Sequence, residues 1–216
     1  MESILEPPLI VFFRSLWVSG LATLLAVSWS IPLAYILAVS KREKPVVYVM
    51  DALVGVPTVL IGLLLYFLLS RRGPLGFLNL LYTPWAIVIG QSVLVTPLLV
   101  AVSYRILTAG VSSYMELALS LGATSRQAAL IVFRESLSGL LSGVVMAFSK
   151  AIGELGVALV VGGNIKGSTR VISTSIALAT SLGEYEYAVL LGLSLTLIII
   201  GLSMIRVLVD AKWASK

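Results

Sequence analysis

The sequence predicts an all-α membrane protein of about five transmembrane helices, and three observations carry that prediction. Hydrophobic residues make up 59% of the 216-residue chain and charged residues 12%, with a mean hydropathy of +1.07, a balance foreign to ordinary soluble domains. Several apolar segments reach the roughly 20 residues that a helix needs to cross about 30 Å of hydrocarbon. None alternates like the ten-residue strands of a barrel, so helices are left to satisfy the backbone polar groups in lipid.

The chain opens with Met1-Glu2-Ser3-Ile4-Leu5-Glu6-Pro7-Pro8, acidic where a secretory signal is basic, and the apolar run after it is too long for a cleaved signal. A permanent first helix is therefore expected over 9–39. It exceeds one crossing: either Leu9 to Trp17, with Arg14 inside it, lies along the interface, or the helix is long and tilted. Further crossings are expected over 46–69, 85–104, 139–161 and 187–209. Pro32, Pro57 and Pro97 fall inside apolar segments, where neighbouring helices can satisfy the freed carbonyls and where the chain can also bend. Ser173 to Ser181 is too short and too hydroxylated to span, and reads as an external or partly re-entrant helix.

Cysteine and histidine are both absent. Their absence removes disulfides, thiolate chemistry, the usual general base and the commonest transition-metal ligand, and weighs against an intramembrane protease or metalloenzyme. The stretch Gly162-Gly163-Asn164-Ile165-Lys166-Gly167-Ser168-Thr169 has the glycine spacing of a phosphate loop, but its lysine precedes the second glycine. In the working motif the lysine follows that glycine and opens a helix after a strand. Nucleotide hydrolysis is not expected of this chain, so any active transport would have to borrow energy from a partner.

Residues 112–134 form a polar interruption between apolar segments. Ser113 with Glu116 and Thr124 with Gln127 each have capping-box spacing. Gly122 between them suits the left-handed conformation that ends a helix. The expected form is a short helix, a sharp turn and a second helix. Ala118 and Gly122 on one helical face would let another backbone approach closely, as a helix fitting a cleft on a separate protein requires.

Basic residues set the expected orientation. With the N-terminus outside, Lys41, Arg42, Lys44, Arg105, Arg126, Arg134, Arg206, Lys212 and Lys216 are cytoplasmic, and Arg14, Arg71, Arg72, Lys166 and Arg170 are external. That excess places the 112–134 segment and the C-terminus in the cytoplasm.

Lys150 and Glu154 stand four apart within the 139–161 segment, where a charge is expensive, so they are expected to share a helix face and to pair. The pair is either a structural ion bridge between helices or a place where Lys150 lines a path for an anion. The 162–170 loop offers Asn164, Lys166, Ser168, Thr169, Arg170 and glycine N–H groups with no carboxylate. Such a donor-rich surface can replace the hydration shell of an oxyanion, although a solvated connecting loop is polar too.

The run from Glu116 to Gly139 resembles the cytoplasmic EAA loop of prokaryotic ABC-importer permeases, in which Glu-Ala-Ala is followed by three residues and then Gly. Glu116, Ala118 and Gly122 match, Leu117 replaces the first Ala, and Arg134-Glu135 stand where Leu-Pro is expected. Gly55-Val56-Pro57 with Ile61-Gly62, Gly73-Pro74-Leu75-Gly76, and Gly153-Glu154-Leu155-Gly156 leading to Gly162-Gly163-Asn164-Ile165 resemble the molybdate and tungstate permeases. Among these, Arg134-Glu135 and the run from Val161 to Arg170 look most like the tungstate branch, with molybdate close behind. The resemblance implies a type I importer fold, with 1–216 a single transmembrane permease domain and 112–134 its coupling loop. It implies a homodimer, two cytoplasmic ABC ATPase subunits that bind the ATP and Mg, and an extracytoplasmic oxyanion-binding protein that largely sets the choice between tungstate and molybdate. No cofactor is expected on this chain, and no nucleic-acid partner. Glu116, Ala118, Gly122 and Ala123 are the implied ATPase-coupling residues. Lys150, Glu154, Asn164, Lys166, Thr169 and Arg170 are the candidate substrate pathway. The rival readings are an ion-coupled secondary transporter working through Lys150 and Glu154, and a scaffold that only anchors a cytoplasmic enzyme.

Overall fold

The computed structural model describes the backbone of residues 4–40 and 44–214, and the side chains of 4–40 and 45–204. Among these residues the secondary structure is helical throughout. In order the helices are α1 (Pro8–Val39), α2 (Lys44–Val54), α3 (Thr58–Leu69), α4 (Pro84–Gly110), α5 (Glu116–Ser120), α6 (Ser125–Ile152), α7 (Gly156–Gly162), α8 (Ile172–Ser181) and α9 (Tyr185–Ala214). Four helical stretches are long and apolar enough to cross a membrane, and α2 with α3 make a fifth if they count as one broken span. Of the basic residues that set the expected orientation, Lys41, Arg42 and Lys216 lie outside the described residues, as do the side chains of Lys44, Arg206 and Lys212.

One open alternative is decided and two expected spans are altered. The 9–39 run is one continuous 32-residue helix that passes through Pro32, with no separate interfacial piece. The 46–69 run is two helices, because Pro57 disfavours a helical Val56 and itself fits the start of α3, where a missing N–H costs nothing. The Gly55 N–H closes the turn on Ala52 O at 3.1 Å. The 139–161 run breaks after Ile152: the Glu154 N–H turns back onto Ala151 O at 3.1 Å, and helix resumes at Gly156. In contrast, 187–209 lies wholly within α9, and α8 falls where the short hydroxylated helix was expected.

The chain divides into two compact units. One comprises residues up to Leu25, Val56–Val95 and Phe148–Gly201. Its centre is the crossing of α3 and α7, where Gly62 and Gly156 bring backbones together. A Cβ on Gly62 would lie 3.2 Å from the Val157 Cα, and one on Gly156 2.6 Å from Thr58 Oγ1 and 3.0 Å from the Val59 nitrogen. Small residues at such crossings are how helices gain van der Waals contact in lipid, where burying one more apolar side chain brings little. Val11, Ile172 and Leu191 make a second buried cluster.

The other unit comprises Ala26–Gly55, Thr96–Ala147 and residues from Leu202 on. Here α4 and α6 run antiparallel with glycine at each level of their seam. Gly110 faces Val132 and Ser136, Gly139 faces Ile106, and Gly143 faces Val102. Ala34, Leu107 and Leu140 fill the space beside it. Trp29 Nε1 donates to Thr96 Oγ1 at 2.8 Å, and Arg105 grips both carboxylate oxygens of Asp51 at 2.8 and 2.7 Å.

Candidate functional site

The 112–134 segment joins α4 to α6 as a hairpin. No helix begins at Ser113. Helix continues from Pro84 to Ser120, α4 passing through a π-turn over Val111–Met115 into α5. Met115 and Glu116 both have helical backbone angles, so the Ser113–Glu116 capping box does not form. Ser112 instead bonds back to Ala109 O at 2.9 Å, a bond that fits the local widening of the helix. The stop is as expected. Gly122 has φ +86°, its N–H reaches Leu119 O at 3.0 Å, and the Ala123 N–H reaches Ala118 O at 3.0 Å, the paired bonds of a Schellman ending.

The second capping box also forms. The Thr124 N–H donates to Gln127 Oε1 at 2.8 Å, and the Gln127 N–H to Thr124 Oγ1 at 3.4 Å. The turn is therefore hydrogen-bonded on both sides with no outside help. Glu116 is exposed, and its carboxylate has no hydrogen bond or ion pair among the described residues. Gly122 is exposed and Ala123 half-buried, but Ala118 is 6% exposed. Gly122 lies past the helix end, so the small-residue face expected from Ala118 and Gly122 does not exist. What the tip presents is apolar: Leu121 is 79% exposed, beside a groove lined by Gly122, Ala123, Gln127, Leu130 and Ile131. The sequence signal for Leu121 is a large apolar residue between Ser120 and a helix-stopping glycine, where the chain has nothing to cover it.

Lys150 and Glu154 do not pair. With α6 ending at Ile152, their four-residue spacing no longer places them on one face. Lys150 is exposed in the last turn of α6, where a cation suits the helix dipole. Glu154 is buried and caps α7: its Oε1 accepts the N–H groups of Gly156 at 2.8 Å and Val157 at 3.3 Å. Ser173 Oγ donates to the Glu154 carbonyl at 2.7 Å, tying the break to α8.

The 162–170 loop is supplied with a carboxylate from the other end of the chain. Glu6, 5% exposed, accepts two bonds from Arg14 at 3.2 and 2.9 Å and one from the Gly167 N–H at 2.8 Å, with Arg170 Nε 3.9 Å away. Burial alone would raise the Glu6 carboxyl, but the Arg14 hydrogen bond, the Gly167 N–H and the two guanidinium charges hold it below the ordinary carboxylate value. Arg170 donates to the Ile4 carbonyl at 2.7 Å and to Asn164 Oδ1 at 3.3 Å. Thr169 Oγ1 donates to Gly162 O at 2.6 Å and accepts the Ile165 N–H at 2.9 Å. Asn164, Thr169 and Arg170 are thus brought together, with donors spent on protein acceptors. Lys166 is exposed.

A charged knot at one point and a self-capped helical hairpin at another are set in helices that span. Residues 26–215 match the family of binding-protein-dependent transport system inner membrane components. The chain belongs to that family. This permease chain is 43% identical over 190 residues to the tungstate uptake system permease protein TupB of Peptoclostridium acidaminophilum, covering 87% of this chain and 83% of that one. It is 36% identical over 165 residues to the TupB of Campylobacter jejuni, covering 76% and 69%. A probable anion ABC transporter permease protein of Haloferax volcanii is 35% identical over 198 residues, covering 88% and 84%.

Proposed function

We propose that this permease forms the translocation pathway of an ATP-driven oxyanion importer and that its substrate is tungstate. The observation that carries the reading is the 43% identity to a tungstate uptake permease across most of both chains. In this reading residues 1–216 act as one permease domain. Two copies associate, two cytoplasmic ATPase subunits bind ATP and Mg, and an oxyanion-binding protein docks outside. The N-terminus is external and the C-terminus cytoplasmic.

The hairpin tip is the coupling element. Its bonded turn transmits a push without unfolding, Glu116 offers a free carboxylate to a basic ATPase residue, Leu121 fills an apolar cleft, and Gly122 and Ala123 hold the bend. Lys150 is the pathway cation of choice, since its charge is not neutralised by Glu154. Glu154, Asn164, Thr169 and Arg170 shape the pathway from behind, and Lys166 faces the approaching anion.

The test is uptake of isotope-labelled tungstate into proteoliposomes holding this chain, its ATPase and its binding protein, each omitted in turn, with molybdate as competitor. Uptake is expected only with all three, and with tungstate ahead of molybdate. Gradient-driven uptake by this chain alone would overturn the reading in favour of a secondary transporter.

A further inference from the structure

The turn between α3 and α4 holds a second concentration of positive charge that the importer reading leaves unused. Arg71 and Arg72 follow the C-terminal end of α3, both exposed, and neither guanidinium has a hydrogen bond or ion pair among the described residues. They open on a cavity of about 810 Å³ lined also by Tyr66, Ser70, Asn79 and Tyr82, with no carboxylate in its wall. Cations past a helix C-terminus are favourable for the dipole alone, but that does not account for the frame around them.

The frame is rigid. A side chain on Gly73 or Gly76 would collide with the carbonyl oxygens of Phe67 and Ser70, so the backbone closes tightly on itself there. The Leu75 N–H donates back to Leu68 O at 2.9 Å, and the Tyr82 N–H to Val161 O at 2.8 Å. Asn79 and Tyr82 are held at φ 49° and 62°, a conformation that asparagine adopts readily and tyrosine only uncommonly. The rim is apolar. Phe77 is 75% exposed at the turn's apex, with Leu75 and Leu78 exposed beside it. In the same unit Trp85, the second residue of α4, packs edge-on against Trp17 at 6.4 Å, both exposed. Tryptophan and tyrosine collect where hydrocarbon meets headgroups.

Two unpaired arginines in a preformed cavity suit the oxygens of a phosphate, which guanidinium groups bind with two parallel bonds. Trp17 and Trp85, exposed in the same unit, are side chains that favour the level of lipid headgroups, and the exposed Phe77 offers an apolar contact to an acyl chain. We propose that Arg71, Arg72 and the 70–82 turn bind the phosphate of an anionic phospholipid. A free oxyanion would find the same arginines, but it gains nothing from Phe77.

Native mass spectrometry of the purified full chain, supplied with equal phosphatidylglycerol and phosphatidylcholine, tests this. The parent is expected to retain phosphatidylglycerol preferentially. R71Q/R72Q should weaken that retention about thirtyfold and R72Q alone about fivefold, the scale of each cation's attraction to an anionic surface. Phe77→Ser should weaken it while leaving both cations in place. Equal retention of the two lipids by the parent, or unchanged retention in R71Q/R72Q that unfolds at the parent's temperature, overturns the proposal. Displacement of phosphatidylglycerol by millimolar inorganic phosphate or tungstate also overturns it, and assigns the cavity to free oxyanions. None of these readouts depends on which anion the permease imports.

Discussion

Glu6 and Arg14, eight residues apart, meet in a two-bonded ion pair at 3.2 and 2.9 Å that also orders a loop contributed from beyond residue 160. Removing one partner of a buried pair strands the other charge, so Glu6→Ala is expected to destabilise the fold by about 3 to 5 kcal/mol. Thermal unfolding in detergent reads this directly.

The same group sets a pH dependence. Because the folded Glu6 carboxyl titrates below its ordinary value of 4.5, its stabilisation is complete above that pH. It is lost as pH falls below 4.5 through the depressed folded value, where protonation dissolves the pair. Unfolding temperature should fall over this acidic range in the parent, and fall less in Glu6→Gln. A parallel decline in both would show that other carboxylates dominate.

Glu154 and Lys150 separate cleanly by substitution. Glu154→Ala leaves two N–H groups at the start of α7 unbonded and should cost about 1 to 2 kcal/mol. Lys150→Ala touches no buried partner and should change stability by less than about 0.5 kcal/mol. If Lys150 serves the pathway, that second variant loses tungstate uptake while keeping its unfolding temperature.

The hairpin turn gives a matched set. Thr124→Ala removes a cap that forms and should cost about 1 kcal/mol, whereas Ser113→Ala removes one that does not and should be near neutral. Gly122→Val forces a β-branched residue to φ +86°, so it should cost more than Thr124→Ala. It should also lower uptake while the chain still inserts in the membrane. Unfolding curves and vesicle uptake on the same preparations check all three.

At the α3–α7 crossing, Gly156→Ala would drive a methyl to 2.6 Å from Thr58 Oγ1 and 3.0 Å from a backbone nitrogen. A loss of about 1 to 3 kcal/mol is expected from such overpacking. Pairing it with Thr58→Ser, which keeps the clash, and Thr58→Ala, which relieves part of it, tests the geometry by partial rescue in the latter alone.

Much of this architecture was legible in the residues. Hydropathy marked α1, α4 and α9, the shortness and hydroxyl content of 173–181 marked α8, and Gly122 with Thr124 and Gln127 announced the turn, since capping chemistry is local. The misreadings have different causes: Pro57 split 46–69 by a rule local to its own neighbours, whereas nothing in the apolar period of 139–161 reports the break after Ile152. Gly156, where helix resumes after that break, has α3 packed so close that a Cβ would lie 3.0 Å from the Val59 nitrogen, and a serine three residues before a glutamate looks like a cap whether or not helix already runs through it. The 162–170 loop looked free of carboxylate because its carboxylate, Glu6, stands 161 positions from Gly167. Spacing arguments cannot reach that far.

That long reach has a practical side. Because the Ile4 carbonyl and the Glu6 side chain fasten a loop 161 to 166 positions further on, any change at these two residues would loosen a part of the molecule that no map of the primary structure would warn of.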